Sequence, residues 1–230
     1  MSRLLRRTPP ERFQRVFRQN LATCQWEPHP RYSVFTQWDG DVYLAQREAF
    51  LNKYRCFHSV ARTIQPAVII ELGVCAGAGA DAYLSGCPDA RYLGIDTFGE
   101  PFSENDNSPW RKLEVNETSL WKPHDIASAL FRERGYADAN LLVANLRHLE
   151  NLPEHADLVV VDAAHDYENQ YADLRLALTA EPSHIFVDDT GGEETAQAVK
   201  EFLALDVQDR PYFTVPIDYI GQGLVIAFTD

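Results

Sequence analysis

The chain runs to 230 residues, 45% hydrophobic and 24% charged, the make-up of an ordinary globular domain long enough to bury its own core. Its net charge of −13 argues against nucleic acid as the main partner and suits a cationic ligand, organic or metallic. No apolar run approaches the roughly 18–20 residues that a bilayer span requires, so no membrane partner is expected.

Residues 1–20 hold Arg3, Arg6, Arg7, Arg12, Arg15 and Arg18 against the single acid Glu11. That segment is therefore +5 and the remainder −18. No apolar stretch follows it, so it does not read as a secretory signal, and a surface helix with an arginine face is expected. Cys24, Cys56, Cys75 and Cys87 form neither a Cys-x-x-Cys pair nor a zinc-finger spacing. Reduced thiols and a cytoplasmic location are the expectation.

Glu11–Leu21 can form a helix with Phe13, Val16 and Phe17 on one face. Pro28 and Pro30 then impose an extended or looped segment. Asp41–Ile64 reads as a longer helix, since Phe50, Tyr54, Phe57, Ala61 and Ile64 recur at helical spacing. Pro66 ends it. Ala67–Leu72 is a short apolar run ending on an acid, the pattern of a buried parallel strand. Gly73, Gly77 and Gly79 follow, and a helix can start at Ala80–Leu84. Strand, glycine turn and helix open a nucleotide-binding α/β unit.

Strands and helices then alternate. Arg91–Asp96 is a second strand. Residues 97–123 are polar, broken by prolines and without periodicity, which marks a functional loop or lid. Asp125–Arg134 is helical, Asn140–Ala144 a third strand and Asp157–Asp162 a fourth. A helix with Tyr167, Tyr171, Leu174 and Leu178 in a stripe comes next. His184–Asp189 is a fifth strand, and Glu193–Leu205 a helix with Ala198, Val199, Phe202 and Leu203 inward. Tyr212–Ile217 and Gly223–Phe228 are too close together for a crossover and form an antiparallel hairpin. The expected fold is α/β: a doubly wound, Rossmann-like sheet of seven mostly parallel strands ending in that hairpin.

Ligands of such sheets bind beyond the carboxyl ends of the strands. Glu71, Asp96, Asn145, Asp162, Asp188 and Asp189 stand at those ends, and five of these six are acids. Crowded carboxylates repel one another, and cations in the pocket relieve that repulsion. Asp96 lies 23 residues after Gly73, where an acid can accept hydrogen bonds from two ribose hydroxyls of NAD or of S-adenosylmethionine. The spacing Gly-x-x-x-Gly-x-Gly, unlike the Gly-x-Gly-x-x-Gly of dinucleotide enzymes, and the terminal hairpin favour the latter. If the fourth and fifth strands are neighbours, about 4.8 Å apart, Asp162 and the pair Asp188–Asp189 can meet around one ion. Three carboxylates without a thiolate suit Mg²⁺. His165 lies three residues past Asp162, and an imidazole is suited to act as general base near neutral pH.

Glu-Leu-Gly-x-x-x-Gly-x-Gly, Gly-Ile-Asp-Thr-Phe, Asp-x-x-His-x-Tyr-Glu and Val-Asp-Asp-Thr, in that order, resemble a class I S-adenosylmethionine-dependent methyltransferase. The match is to the metal-dependent sugar O-methyltransferases of antibiotic pathways (the macrocin O-methyltransferase type) and the related cephalosporin-hydroxylase-like group. It covers about residues 60–230. The resemblance implies that Asp162, Asp188 and Asp189 hold Mg²⁺ and that His165 is the base. It further implies that the cofactor's methionine part lies over Glu71, Gly73 and Gly77, that Asp96 holds its ribose, and that Asn145 and Asp162 border it. Asn145 departs from the acid or small polar residue usual beside the adenine. A methyl group would pass to a hydroxyl of a small molecule, a sugar or another vicinal diol of natural-product type. Residues 1–60 lie outside the resemblance. They are expected to form a helical extension or lid, where substrate choice would reside together with the 97–123 loop. Asp41–Ile64 is a candidate surface for pairing two copies. Two rival readings are a nicotinamide-dependent oxidoreductase and a methyltransferase-like domain that binds without catalysis.

Overall fold

The computed structural model describes residues 10–30, 46–98 and 123–229. The expected 97–123 loop falls almost wholly outside them, as do Arg3, Arg6, Arg7 and the segment 41–45 of the expected long helix. Helix α1 is Pro10–Ala22 and α2 is Arg47–Ile64. Next come β1 (Val68–Leu72), α3 (Ala78–Gly86), β2 (Arg91–Asp96), α4 (Pro123–Arg134) and β3 (Ala139–Val143). The chain continues with β4 (Leu158–Val161), α5 (Tyr167–Leu178), β5 (His184–Asp188) and α6 (Glu193–Leu205), and ends with β6 (Tyr212–Ile217) and β7 (Gly223–Phe228).

The sheet has seven strands in the order β3-β2-β1-β4-β5-β7-β6. β1 to β5 are parallel, and β7 returns antiparallel against β5 and β6. This is the expected mostly parallel sheet with a terminal hairpin. The strand order reverses between β1 and β4, which places the topological crevice beside the glycine turn.

Both faces of the sheet are covered, and this is why its central strands are continuously apolar. In β4, Leu158 and Val160 turn to one face and join Phe57, Tyr83, Phe131 and Phe13 of α1 to α4. Val159 and Val161 turn to the other and join Leu174 and Ala177 of α5 and Val199 and Phe202 of α6. The N-terminal helices therefore share the buried cluster of the sheet: Phe13, Phe17, Trp26, Leu51 and Val60 lie in it. Arg12, Arg15 and Arg18 are exposed on α1, as an arginine face requires.

Helix α2 sets the position of the site. Phe57 is fully buried, stacks on Tyr83 at 5.0 Å and meets Phe186 and Tyr219 edge-on. Truncating so enclosed a ring costs about 3–5 kcal/mol. Gln65 closes the helix in the left-handed conformation, its N–H donating to the Ala61 carbonyl, and Pro66 cannot continue it.

Candidate active site

The glycine turn is tied down by the acid at the end of β2. Asp96 Oδ2 accepts the N–H groups of Val74 and Cys75 at 2.7 and 2.8 Å, and Oδ1 accepts that of Phe98 at 2.7 Å. A carboxylate has about four acceptor positions, so one remains for a ligand hydroxyl. Asp96 thus organises the turn as well as facing the crevice, a role its position in the sequence does not reveal. Gly73 sits at φ +89°, and a Cβ on it would lie 2.3 Å from the Asp162 carbonyl oxygen. Glycine here admits the chain leaving β4, not only a ligand. Gly77 caps α3 in the left-handed conformation.

Two more predicted residues serve the framework. Glu71 is 1% exposed and accepts the Tyr92 hydroxyl. Burial pushes its carboxyl up to about 8 against that hydrogen bond, with Asp96 and Asp188 adding to the rise. Asn145 Oδ1 accepts the Arg147 N–H and so caps the short 3-10 turn Leu146–His148.

The second half of the site stands across the crevice. β4 and β5 are adjacent, with Val161 opposite Val187, so Asp162 and Asp188 emerge side by side. Asp189 lies at φ +51°, just past β5. His165 is exposed, and its Nε2 is 3.7 Å from Asp189 Oδ2. Asp162, His165 and Asp189 each offer a ligand atom within 4.8 Å of the other two. Asp188 is not in that group. Its side chain is closed to solvent; Lys53 Nζ lies 2.5 Å from Oδ2, and the Tyr219 hydroxyl donates to Oδ1 at 2.5 Å. Of the expected ligand trio Asp162, Asp188 and Asp189, Asp188 lies against Asp162 and is also engaged by Lys53 and Tyr219. Gly223 makes room for this, since a Cβ there would lie 2.3 Å from the Tyr219 oxygen.

Sequence reasoning missed Lys53 and Tyr219. Lys53 comes from α2, its ammonium 5.5 Å above the Phe57 ring and 3.7 Å from Asp189 Oδ1. Desolvation opposes its charge, but Asp162, Asp188 and Asp189 outweigh that and raise its proton affinity. Burial, then Asp188, pushes the Asp162 and Asp189 carboxyls above the usual range, and Lys53 only partly offsets this. A divalent cation on the open side would offset the repulsion among these carboxyls, and Asp162 and Asp189 fit it as ligand types, with His165 beside them.

No protein-family model matches the chain, and no curated protein matches it. Solved structures of the same fold do. An O-methyltransferase from Streptomyces achromogenes, TomG, involved in tomaymycin synthesis and in complex with SAM, aligns with a TM-score of 0.54 at 15% identity, over 94% of this chain and 98% of its own. The SAH-bound methyltransferase PaMTH1 of Podospora anserina aligns at 0.52 and 15%, over 96% of each chain. An O-methyltransferase from Bacillus cereus in complex with SAH aligns at 0.50 and 17%, over 95% of this chain and 90% of its own. The chain has the fold of these proteins along nearly its whole length. Among the described residues no helix is long and apolar enough to cross a membrane.

Proposed function

We propose that this chain is an S-adenosylmethionine-dependent O-methyltransferase that acts on a hydroxyl of a small molecule, a vicinal diol such as a sugar presents, with help from a divalent cation of the Mg²⁺ kind. One observation carries the reading. The Asp96-bound glycine turn packs against the backbone at Asp162, where the Asp162–His165–Asp189 group begins, so closely that a methyl on Gly73 would strike the Asp162 carbonyl. The SAM- and SAH-bound neighbours of the same fold support it.

The turn suits the cofactor chemically. The first N–H groups of α3 have no partner within the helix and favour an anion such as a carboxylate. Asp96 keeps an acceptor position for a ribose hydroxyl, and the acidic rim favours a sulfonium. When bound, S-adenosylmethionine supplies an electrophilic methyl group. A divalent cation held by Asp162 and Asp189 beside His165 supplies Lewis acidity that lowers the pKa of an acceptor hydroxyl. His165 accepts the proton of that hydroxyl at Nε2, and Asp189 steadies the imidazolium that results. Lys53 and Tyr219 hold Asp188 in place beneath. Positioning two reactants across one crevice accounts for much of the rate.

The test is transfer of a radiolabelled methyl group from S-adenosylmethionine to a panel of sugars and catechols. Labelled product that is lost in His165→Ala and in excess chelator is expected. Labelled product at the wild-type rate in both would overturn the assignment of base and metal.

A further inference from the structure

The acidic rim carries a cation of its own. Lys53 rises from the middle of α2, four residues before Phe57, and its side chain is 12% exposed. Its ammonium lies 2.5 Å from Asp188 Oδ2 and 3.7 Å from Asp189 Oδ1. Phe57, fixed by its stack on Tyr83, lies 5.5 Å from the ammonium, and an ammonium over a ring face gains further attraction. The other oxygen of Asp188 takes the Tyr219 hydroxyl. Asp188 is thus held by an ion pair on Oδ2 and a hydrogen bond on Oδ1; its carboxyl lies against that of Asp162, but the ligand atoms that converge are those of Asp162, His165 and Asp189.

We propose that Lys53 withholds Asp188 from any divalent ion, confines that ion to the open side formed by Asp162, His165 and Asp189, and keeps its affinity low. The inference rests on the reading above only in supposing that the rim accepts such an ion. Its physics is elementary. A fixed ammonium within a few ångströms repels an incoming cation, and it occupies a carboxylate that would otherwise be a ligand. Removing it alone would strand a buried charge, which a divalent ion can then satisfy.

The test uses Mn²⁺ as the probe, titrated into the full chain and followed by calorimetry and by loss of the free ion's electron paramagnetic signal. Lys53→Met keeps an unbranched stem of similar length but removes the charge. It should bind Mn²⁺ at least about tenfold tighter than the wild type, a modest share of the repulsion between close charges at a protein surface. Adding Asp188→Asn to that variant should cancel the gain, and Lys53→Arg, which keeps a cation, should match the wild type. Equal Mn²⁺ affinity in the wild type and Lys53→Met, or binding by neither, overturns the inference. Should Lys53→Met fail to fold by circular dichroism, Lys53→Gln, which also removes the charge, decides by the same criterion: a gain of about tenfold in Mn²⁺ affinity is expected, and an affinity equal to that of the wild type overturns the inference. S-adenosylmethionine binding by the same chains separates the claims. If it binds while the Mn²⁺ affinities are equal, only the role of Lys53 falls. If it does not bind while Lys53→Met gains Mn²⁺ affinity, the methyltransferase reading falls and Lys53 keeps its role.

Discussion

Glu71 lies in β1 directly beneath the glycine turn, and its protonation can be read from stability. Burial moves its carboxyl from 4.5 up to about 8, so at neutral pH the folded chain holds a proton that the unfolded chain has released. A group of this kind opposes folding as pH rises: its effect is absent below the unfolded pKa of 4.5, grows through neutrality, and is complete above about 8. At about 1.4 kcal/mol for each tenfold change in proton affinity, the full effect is roughly 4–5 kcal/mol. Of this, about 2–3 kcal/mol is lost between pH 6 and pH 9. Glu71→Gln keeps the shape and the acceptor for the Tyr92 hydroxyl but cannot ionise. Urea unfolding of both chains at four pH values across that range isolates the residue, because every other titrating group is common to both. The stability difference should move in favour of Glu71→Gln by about 2–3 kcal/mol between pH 6 and pH 9. Parallel curves would refute the reasoning, and so would a difference moving the other way.

Three further outcomes follow from particular contacts. Gly73→Ala forces a Cβ to within 2.3 Å of the Asp162 carbonyl at φ +89°; it should cost more than about 2 kcal/mol in thermal unfolding, and a wild-type melting temperature would contradict it. Tyr219→Phe removes the donor to Asp188 Oδ1 and leaves a buried acceptor short of one partner, a cost of about 1–3 kcal/mol readable by urea denaturation. Asp96→Asn places an amide against backbone N–H groups that now meet a carboxylate. It should weaken S-adenosylmethionine binding by about tenfold or more, the loss of a charge-assisted hydrogen bond, and calorimetry that finds unchanged affinity would deny the turn its anchor.

The fold was legible because its central strands are buried on both faces. Runs such as Leu158–Val161 can hardly be anything else, and the acids that close β2 and β5 mark the sheet's carboxyl edge without any structure. The partners of those acids were not legible. A lysine inside a helix ordinarily reads as a solvated residue; only its place four residues before Phe57, on the same face, hinted that Lys53 points inward. Tyr219 sits in a turn, where nothing local reports that it crosses to β5. Asp96, Gly73 and Asn145 show a different limit. Residue type announced a ligand, but most of what these residues touch is their own backbone: the glycine turn, the exit from β4 and a 3-10 cap. Local sequence names donors and acceptors; the chain's long-range path decides which of them meet.

Calorimetric titration of the full chain with S-adenosylmethionine, with NAD as the parallel titration, tests the central claim most directly. The account predicts saturable one-to-one binding of S-adenosylmethionine, weakened in Asp96→Asn, and no heat from NAD. A folded chain that binds NAD and leaves S-adenosylmethionine free would contradict it.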